Sequence, residues 1–479
     1  MADRAFAENR FGLGPRGDTP VEAKSDPRGW ATAQLSRFEP RLAGIPSRVE
    51  VAEGLADYLA MQREARMERR EAMPPDPNAM KTATDMPQRM RDPEVRMARR
   101  ENREDYARLV AARVNNALTT PAPFVERMTH FWANHFAVSA QKQTTLGFAG
   151  LLEMEAVRPH VLGRFGDMLQ AAIRHPAMLF YLDQAQSIGP NSPIGARAAM
   201  RGNNRGLNEN LAREILELHT LGVRTVYSQA DVTEFARALT GWTVAGVGRG
   251  PGARFTQGPA GDFIFVGAIH EPGARTILGR RFADGGEAQG RAMLDMLAVH
   301  PATARHVATK LARHFAGDVP PPAMVARVEA AFLRSGGDLP TVYRALIASP
   351  EAWDMGSVKF RSPWDWTIAA LRALGAQSLQ PLVAVSTLRE LGQPVWMPPS
   401  PSGWDDDAAG WAGPDALYRR VEAAGRMAMR AGDMVDARGL APRLLGARLS
   451  ETTRTAISRA ESPATGLALL LASPEMLRR

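Results

Sequence analysis

Cysteine is absent from the 479 residues. That removes disulfides, thiolate nucleophiles and thiolate metal ligands together, and leaves His, Asp and Glu as the side chains able to hold a metal. It is neutral about compartment. Long apolar runs are missing too: no stretch approaches the roughly 18 residues of a membrane-spanning helix. The opening segment, Met1 to Asp18, scatters charge and has no apolar core of the kind a secretory signal needs, so a cytoplasmic location is the expectation from these residues. HExxH, G-x-S-x-G, Walker A and dinucleotide-binding patterns do not occur, which withdraws the commonest motif-bearing enzyme classes. GVGRGPG, from Gly246 to Gly252, looks like a phosphate loop, but no helix follows it and no Lys-Ser/Thr ends it, so it reads as a turn.

Aromatics are scarce where a nucleic-acid surface would need them. Gln62 to Ala107 is rich in Arg, Glu and Met, and Tyr106 is its one aromatic residue. Without stacking side chains, this stretch reads as solvated helix faces and argues against nucleic-acid binding. The formal net charge of +8 permits anionic partners without selecting one.

The composition, 45% hydrophobic and 23% charged, is that of a globular chain with a sizeable core. Helical periodicity dominates, and β-rich sequence is confined to a Gly-rich stretch containing FIFVGAI. The expected fold is mainly α, a large multi-helix domain with a small β-hairpin insertion near 243–282. Three regions are expected: 1–120, an N-terminal arm with charged helices and a loop; 121–350, the helical core; and 351–479, C-terminal helices with a Pro/Trp-rich strap. Met73 to Pro87, with its prolines and polar residues, is expected to be the most mobile part. Ser187 to Gly206 reads as a long loop of the kind that forms lids. The Asp405 to Asp407 run reads as a solvated turn or helix start.

The most informative stretch runs from Asn208 to Trp242 and reads as two helices. Asn208 caps the first, whose apolar residues are Leu211, Ile215, Leu218 and Leu221, and Gly222 stops it. Ser228 with Asp231 has capping-box spacing for the second, which ends at Gly241. At about 100° per residue, Glu209, Arg213 and Glu217 form an outer ladder of ion pairs, whereas Glu214 and His219 fall inside the apolar arc. A carboxylate and an imidazole facing a core each need a partner. The helix that Thr120-Pro121 opens places His135 on its apolar face, formed by Phe124, Met128, Phe131 and Val138, with Glu126, His130 and Asn134 as a flanking polar stripe. The helix after His300-Pro301 places His314 on its apolar face and Lys310 at the edge. His135, Glu214 and His219 are therefore the candidate catalytic residues, and with His314 the candidate ligands of a divalent metal. A structural hydrogen-bond network that ties helices together accounts for the same pattern.

Five segments in order, HFWANHF at His130, NENLAREILELHTLGV at Asn208, DVTEFARALTGW at Asp231, HEPGARTILG at His270 and HPATARHVATKLARHF at His300, resemble the bacterial domain of unknown function 1800 family (DUF1800). KFRSPWDW at Lys359 and PPSPSGW at Pro398 extend the resemblance along nearly the whole chain. Glu271 and Arg275 stand where the family's H-D-x-G-x-K segment has Asp and Lys. The resemblance implies a large, mainly helical bacterial protein with no established activity. It also implies a sulfatase-like partner (DUF1501-type) carrying an export signal, and periplasmic co-export with it as the alternative location.

Two functions stay open on these grounds. One is a metal-dependent or acid–base enzyme, a hydrolase or oxidoreductase, using the His/Glu set with Lys310 or Arg213 facing an anionic substrate; iron, manganese or zinc would suit such a set. The other is a non-enzymatic accessory or scaffold protein that accompanies the sulfatase-like partner.

Overall fold

A computed structural model describes residues 4–17, 26–72, 93–202, 206–247, 258–356 and 358–479. The segment from Met73 to Pro87, where greatest mobility is expected, lies outside them, as does most of GVGRGPG.

The described chain is mainly helical, and its helices begin by one recurring chemistry. Ser362 accepts from Asp365 N, Asp338 from Thr341 N and Ser192 from Gly195 N, each followed by proline in the first helical turn. Proline loses nothing there, because that N–H has no helical partner and its fixed φ already suits a helix. The helices that bear on the site are α1 (Pro93–Thr119), α2 (Pro123–His135), α3 (Asn210–Glu214), α4 (Gln229–Leu239), α5 (Pro301–Ala316), α6 (Pro363–Ala373) and α7 (Pro414–Ala431).

Two large apolar cores result, beside a small cluster of Ile188, Val266 and Ile269. The larger runs from Phe11 to Trp396 and takes in α2, α4 and α5; the smaller runs from Trp366 to Met476 among the C-terminal helices. Helix α6 is the wall between them. Trp364 and Ile368 enter the first core, while Trp366, Ala370 and Ala373 enter the second. Spacings of four and seven residues place each set on its own face of one helix.

The β insertion is two small antiparallel pairs rather than one hairpin. β1 (Trp242–Val244) pairs with β2 (Phe263–Phe265), and β3 (Arg275–Ile277) pairs with β4 (Arg280–Phe282). Leu278 and Gly279 turn the second pair with φ of 51° and 73°, as a two-residue hairpin of this twist requires. A leucine is disfavoured there. Its N–H is held by Asp231 Oδ1 at 2.7 Å, so the carboxylate that completes the α4 capping box with Ser228 also pins the turn.

The expected long loop after Ser187 contains a helix, Pro193–Met200, because Ser192 and Pro193 form a competent start. The helix that begins near Asn208 departs further from expectation. Asn208 Oδ1 does accept from Asn210 N at 3.0 Å, but regular α geometry ends at Glu214 and Ile215–His219 forms a π turn. A π turn closes through i→i+5 bonds, so an angular projection at about 100° per residue does not carry across it.

Candidate functional site

Helices α2, α5 and α6 and the Pro/Trp strap enclose a cavity of about 350 Å³. The Pro/Trp-rich strap is its roof, with Trp396, Trp404 and Trp411 in the lining. Several contacts fasten it. Trp396 Nε1 donates to Glu153 Oε2 at 2.9 Å, Tyr106 on α1 donates to Val395 O at 2.7 Å, and Asn134 at the end of α2 grips Trp404 N and O with both ends of its amide. Gly403, at φ 85°, is required by this fit, because a Cβ there would lie 2.5 Å from Asn134 O.

Four imidazoles in and around the cavity have partners that can only accept or only donate, and this assigns their tautomers. His135 Nε2 lies 3.1 Å from His219 O; a carbonyl only accepts, so Nε2 carries the proton and Nδ1 is a lone pair. Lys310 Nζ is 3.1 Å from that Nδ1 and donates to it. His306 Nε2 likewise donates to Leu218 O at 3.1 Å. Both carbonyls belong to the end of the π turn, where backbone acceptors have no helical partner. The two histidines thus cap it.

His314 is fixed from both sides: Nδ1 donates to Asp406 Oδ2 at 3.0 Å, and Nε2 receives Arg479 Nη2 at 3.2 Å. Burial holds it to the neutral form, at about 4, although Asp406 pulls the other way. His130 accepts from Trp364 Nε1 on Nδ1 at 3.2 Å, which leaves the proton on Nε2, 3.1 Å from Glu126 Oε1.

Lys310 stands out electrically. Burial lowers it from 10.5 to about 8, with Asp406 opposing and Arg313 assisting. Burial first, then the Lys310 charge, push His219 down to about 3 and His306 to about 4, and take His135 well below the ordinary histidine value. Three neutral imidazoles therefore surround one amine. Apart from exposed Arg313, the other cations in and behind the wall have carboxylates. Asp365 receives Arg127 and Arg479 at 3.0 Å each, and Arg113 meets Glu153 at 3.0 Å. Buried Lys359 meets Asp318 and Asp406. No described carboxylate lies within ion-pair distance of Lys310; its hydrogen-bond partner is His135.

Of the residues singled out from sequence, His135 and His219 are brought together, with ring centroids 6.0 Å apart. His219 is fully buried, and neither ring nitrogen has a hydrogen-bond partner among the described residues. His314 lines the same cavity from α5. Glu214 does not line it. It is half-buried, its carboxyl is raised by burial and by Glu217 against the pull of Arg213, and no hydrogen bond or ion pair joins it to His135 or His219 among the described residues. Arg213 lies in the expected outer ladder, 3.2 Å from Glu209 and 3.7 Å from Glu217, away from the cavity lining. Asp406 belongs to the site, while Asp405 fits the solvated reading of that run.

His306 and Lys359 were not read as site residues. His306, Lys310 and His314 repeat at i,i+4 along α5, a polar stripe visible in the sequence. Nothing local marks Lys359 or Asp365, which acquire their roles through partners far along the chain.

One set of potential metal donors occurs among the described residues: Glu126, His130 and Glu153, whose ligand atoms lie within 4.8 Å of one another. Cations already serve it. Arg158 makes a two-pronged bond to Glu126 at 2.8 and 2.9 Å, Arg113 forms an ion pair with Glu153 Oε2, and Trp396 donates to the same oxygen. Burial would raise Glu126, but Arg158 and His130 hold it down at about 2. The donor to His130 Nδ1 keeps the proton on the nitrogen a metal would need. The chemistry of this set is that of a closed ion-pair network.

A family model described as a protein of unknown function, DUF1800, matches residues 7–478. The chain belongs to the DUF1800 family. No curated protein and no solved structure matches it. In this DUF1800 chain several of the segments that carry the resemblance border the cavity: HFWANHF ends α2, HPATARHVATKLARHF makes α5, KFRSPWDW supplies Trp364 and Asp365, and PPSPSGW enters the roof. HEPGARTILG lies elsewhere, where Glu271 holds the backbone N–H of Asn191 at 2.7 Å and its side-chain amide at 2.5 Å.

Proposed function

We propose that this DUF1800 protein is an acid–base enzyme acting on a small organic anion, with Lys310 and His135 as the proton-transferring pair. One observation carries the reading: a half-buried lysine at a cavity wall whose amine has a neutral imidazole as its hydrogen-bond partner instead of a carboxylate. An uncompensated buried cation costs several kcal/mol, and such groups concentrate where a proton must move or a charge must be met. An amine that titrates at about 8 exchanges protons near neutral pH. The nitrogens of His135 and His314 already have partners, which supports proton transfer over a divalent metal held by His135, Glu214, His219 and His314.

The test is a thermal-shift screen of small carboxylates, sulfates and phosphates against wild type and Lys310→Met. A cavity ligand at about a hundred times its Kd adds roughly 2.7 kcal/mol, enough to raise the melting temperature of the wild type by a few degrees, and that rise should vanish in the variant. Equal shifts in both proteins, or none in either, would overturn the reading and favour an accessory role beside a sulfatase-like partner.

A further inference from the structure

We propose that Lys310 condenses reversibly with the carbonyl carbon of its substrate and that the substrate also carries a carboxylate, making oxo acids the substrate class; this rests on the cavity reading above. Three observations converge on it. First, Lys310 is held as a nucleophile would be. His135 Nε2 is committed to His219 O, so Nδ1 faces Lys310 Nζ as a lone pair able to take a proton from it. Second, burial and then the Arg313 charge favour the neutral amine against the opposing pull of Asp406 from the strap, while His135 from α2, His219 from the π turn and His306 from α5 face it as neutral rings. Asp406 alone is negative, and it is engaged with His314 and Lys359. Third, Arg313 lines the same cavity nearly one helical turn beyond Lys310, is exposed, and has no ion pair among the described residues. A guanidinium at the rim and an amine within make a two-point match for a molecule with a carboxylate beside a carbonyl.

The other described lysines lack these features. Lys142 is exposed and paired with Asp183 at 3.0 Å, and Lys359 is locked between Asp318 and Asp406. Lys310 lowered to about 8 has far more neutral amine at pH 7 than an ordinary surface lysine. In the condensation, the Nζ lone pair forms the C–N bond. Both amine protons pass to the former carbonyl oxygen, one of them by way of His135 Nδ1. The C–O bond then breaks and that oxygen leaves as water. No oxidant or reductant is consumed.

The experiment incubates the full-length protein with pyruvate and a hydride reductant that converts an imine to a stable secondary amine, followed by peptide mapping by mass spectrometry. At pH 7 the adduct should form on Lys310 on the order of a hundredfold faster than on Lys142, because Lys310 is lowered to about 8 while Lys142 is held in an ion pair with Asp183. Arg313→Gln should slow capture of pyruvate about tenfold more than it slows capture of acetone, the worth of roughly 1.4 kcal/mol, since the loss of its charge on Lys310 affects both alike. Labelling of Lys310 no faster than Lys142 in the wild type overturns the imine, and needs no variant that has to fold. Equal capture of pyruvate and acetone overturns the substrate class. If pyruvate stabilises wild type but not Lys310→Met and yet leaves no adduct, the imine falls and the acid–base cavity stands.

Discussion

At the scale of single residues, the site is built from groups kept in the form their neighbours impose. Lys310 is the exception, since it is charged at neutral pH without a carboxylate. Its folded value of about 8 lies below the ordinary 10.5, so between these limits the unfolded chain binds more protons and stability rises with pH. Below about pH 8 the full burial penalty applies. Lys310→Met is therefore expected to stabilise the protein at pH 7 by about 1–3 kcal/mol and to lose that advantage above about pH 10.5. Urea midpoints at the two pH values measure it. Destabilisation at pH 7 would mean that the contact with His135 holds the fold together. The sequence placed His135 and His314 correctly on apolar faces, because helical periodicity orients a residue relative to its own helix. Periodicity puts Lys310 at an edge, and His306 lies off the apolar face, in the polar i,i+4 stripe beside it.

At the scale of elements, capping chemistry was the most legible signal. Ser228 and Asp231 form the capping box their spacing indicated, and Ser228→Ala should cost about 1 kcal/mol by chemical denaturation. Helix α2 begins at Pro123 rather than at Pro121 and ends at His135, short of Val138. The π turn at Ile215–His219 was not legible, because inserting one residue into a helix leaves no local mark; His306 and His135, which cap its free carbonyls, come from distant elements. The strap shows how an irregular element is positioned. Gly403→Ala would drive a methyl into Asn134 O and force a strained φ, so it should loosen the roof at a cost of roughly 1–3 kcal/mol. Faster quenching of the strap tryptophans by acrylamide would report it, and unchanged quenching would contradict the docking of the strap on α2.

At the scale of the molecule, Asp365 joins the parts. From α6, between the two cores, it receives Arg127 of α2 and Arg479 near the end of the chain, while Arg127 also donates to Gly12 O at 2.6 Å. Burial would raise its carboxyl, but the two guanidinium groups hold it far below the usual carboxylate range. A depressed acid contributes stability above its unfolded value, near pH 3.9, and that stability is lost as pH falls further. Asp365→Asn leaves two buried cations without their counter-charge. It should cost about 3–5 kcal/mol at pH 7 and flatten the acid limb of the stability curve below about pH 4, as read by urea titration across pH. An unchanged acid limb would assign acid sensitivity to other carboxylates.

Periodicity, caps and composition were enough to determine a mainly helical protein, the place of its small β insertion and the inward direction of several histidines, because each depends on residues within a turn or two of one another. Which imidazoles meet, which carboxylates are already paired with arginine, and that Lys310 is left with a lone pair for company were decided only by tertiary packing. Glu214 illustrates the difference. Its place in an apolar arc was a statement about one helix, whereas its place among partners depended on the π turn that follows and on what the rest of the chain brought alongside. Charge pairing is a property of three-dimensional neighbourhoods, and the groups around Lys310 come from residues 135, 219, 306, 313 and 406.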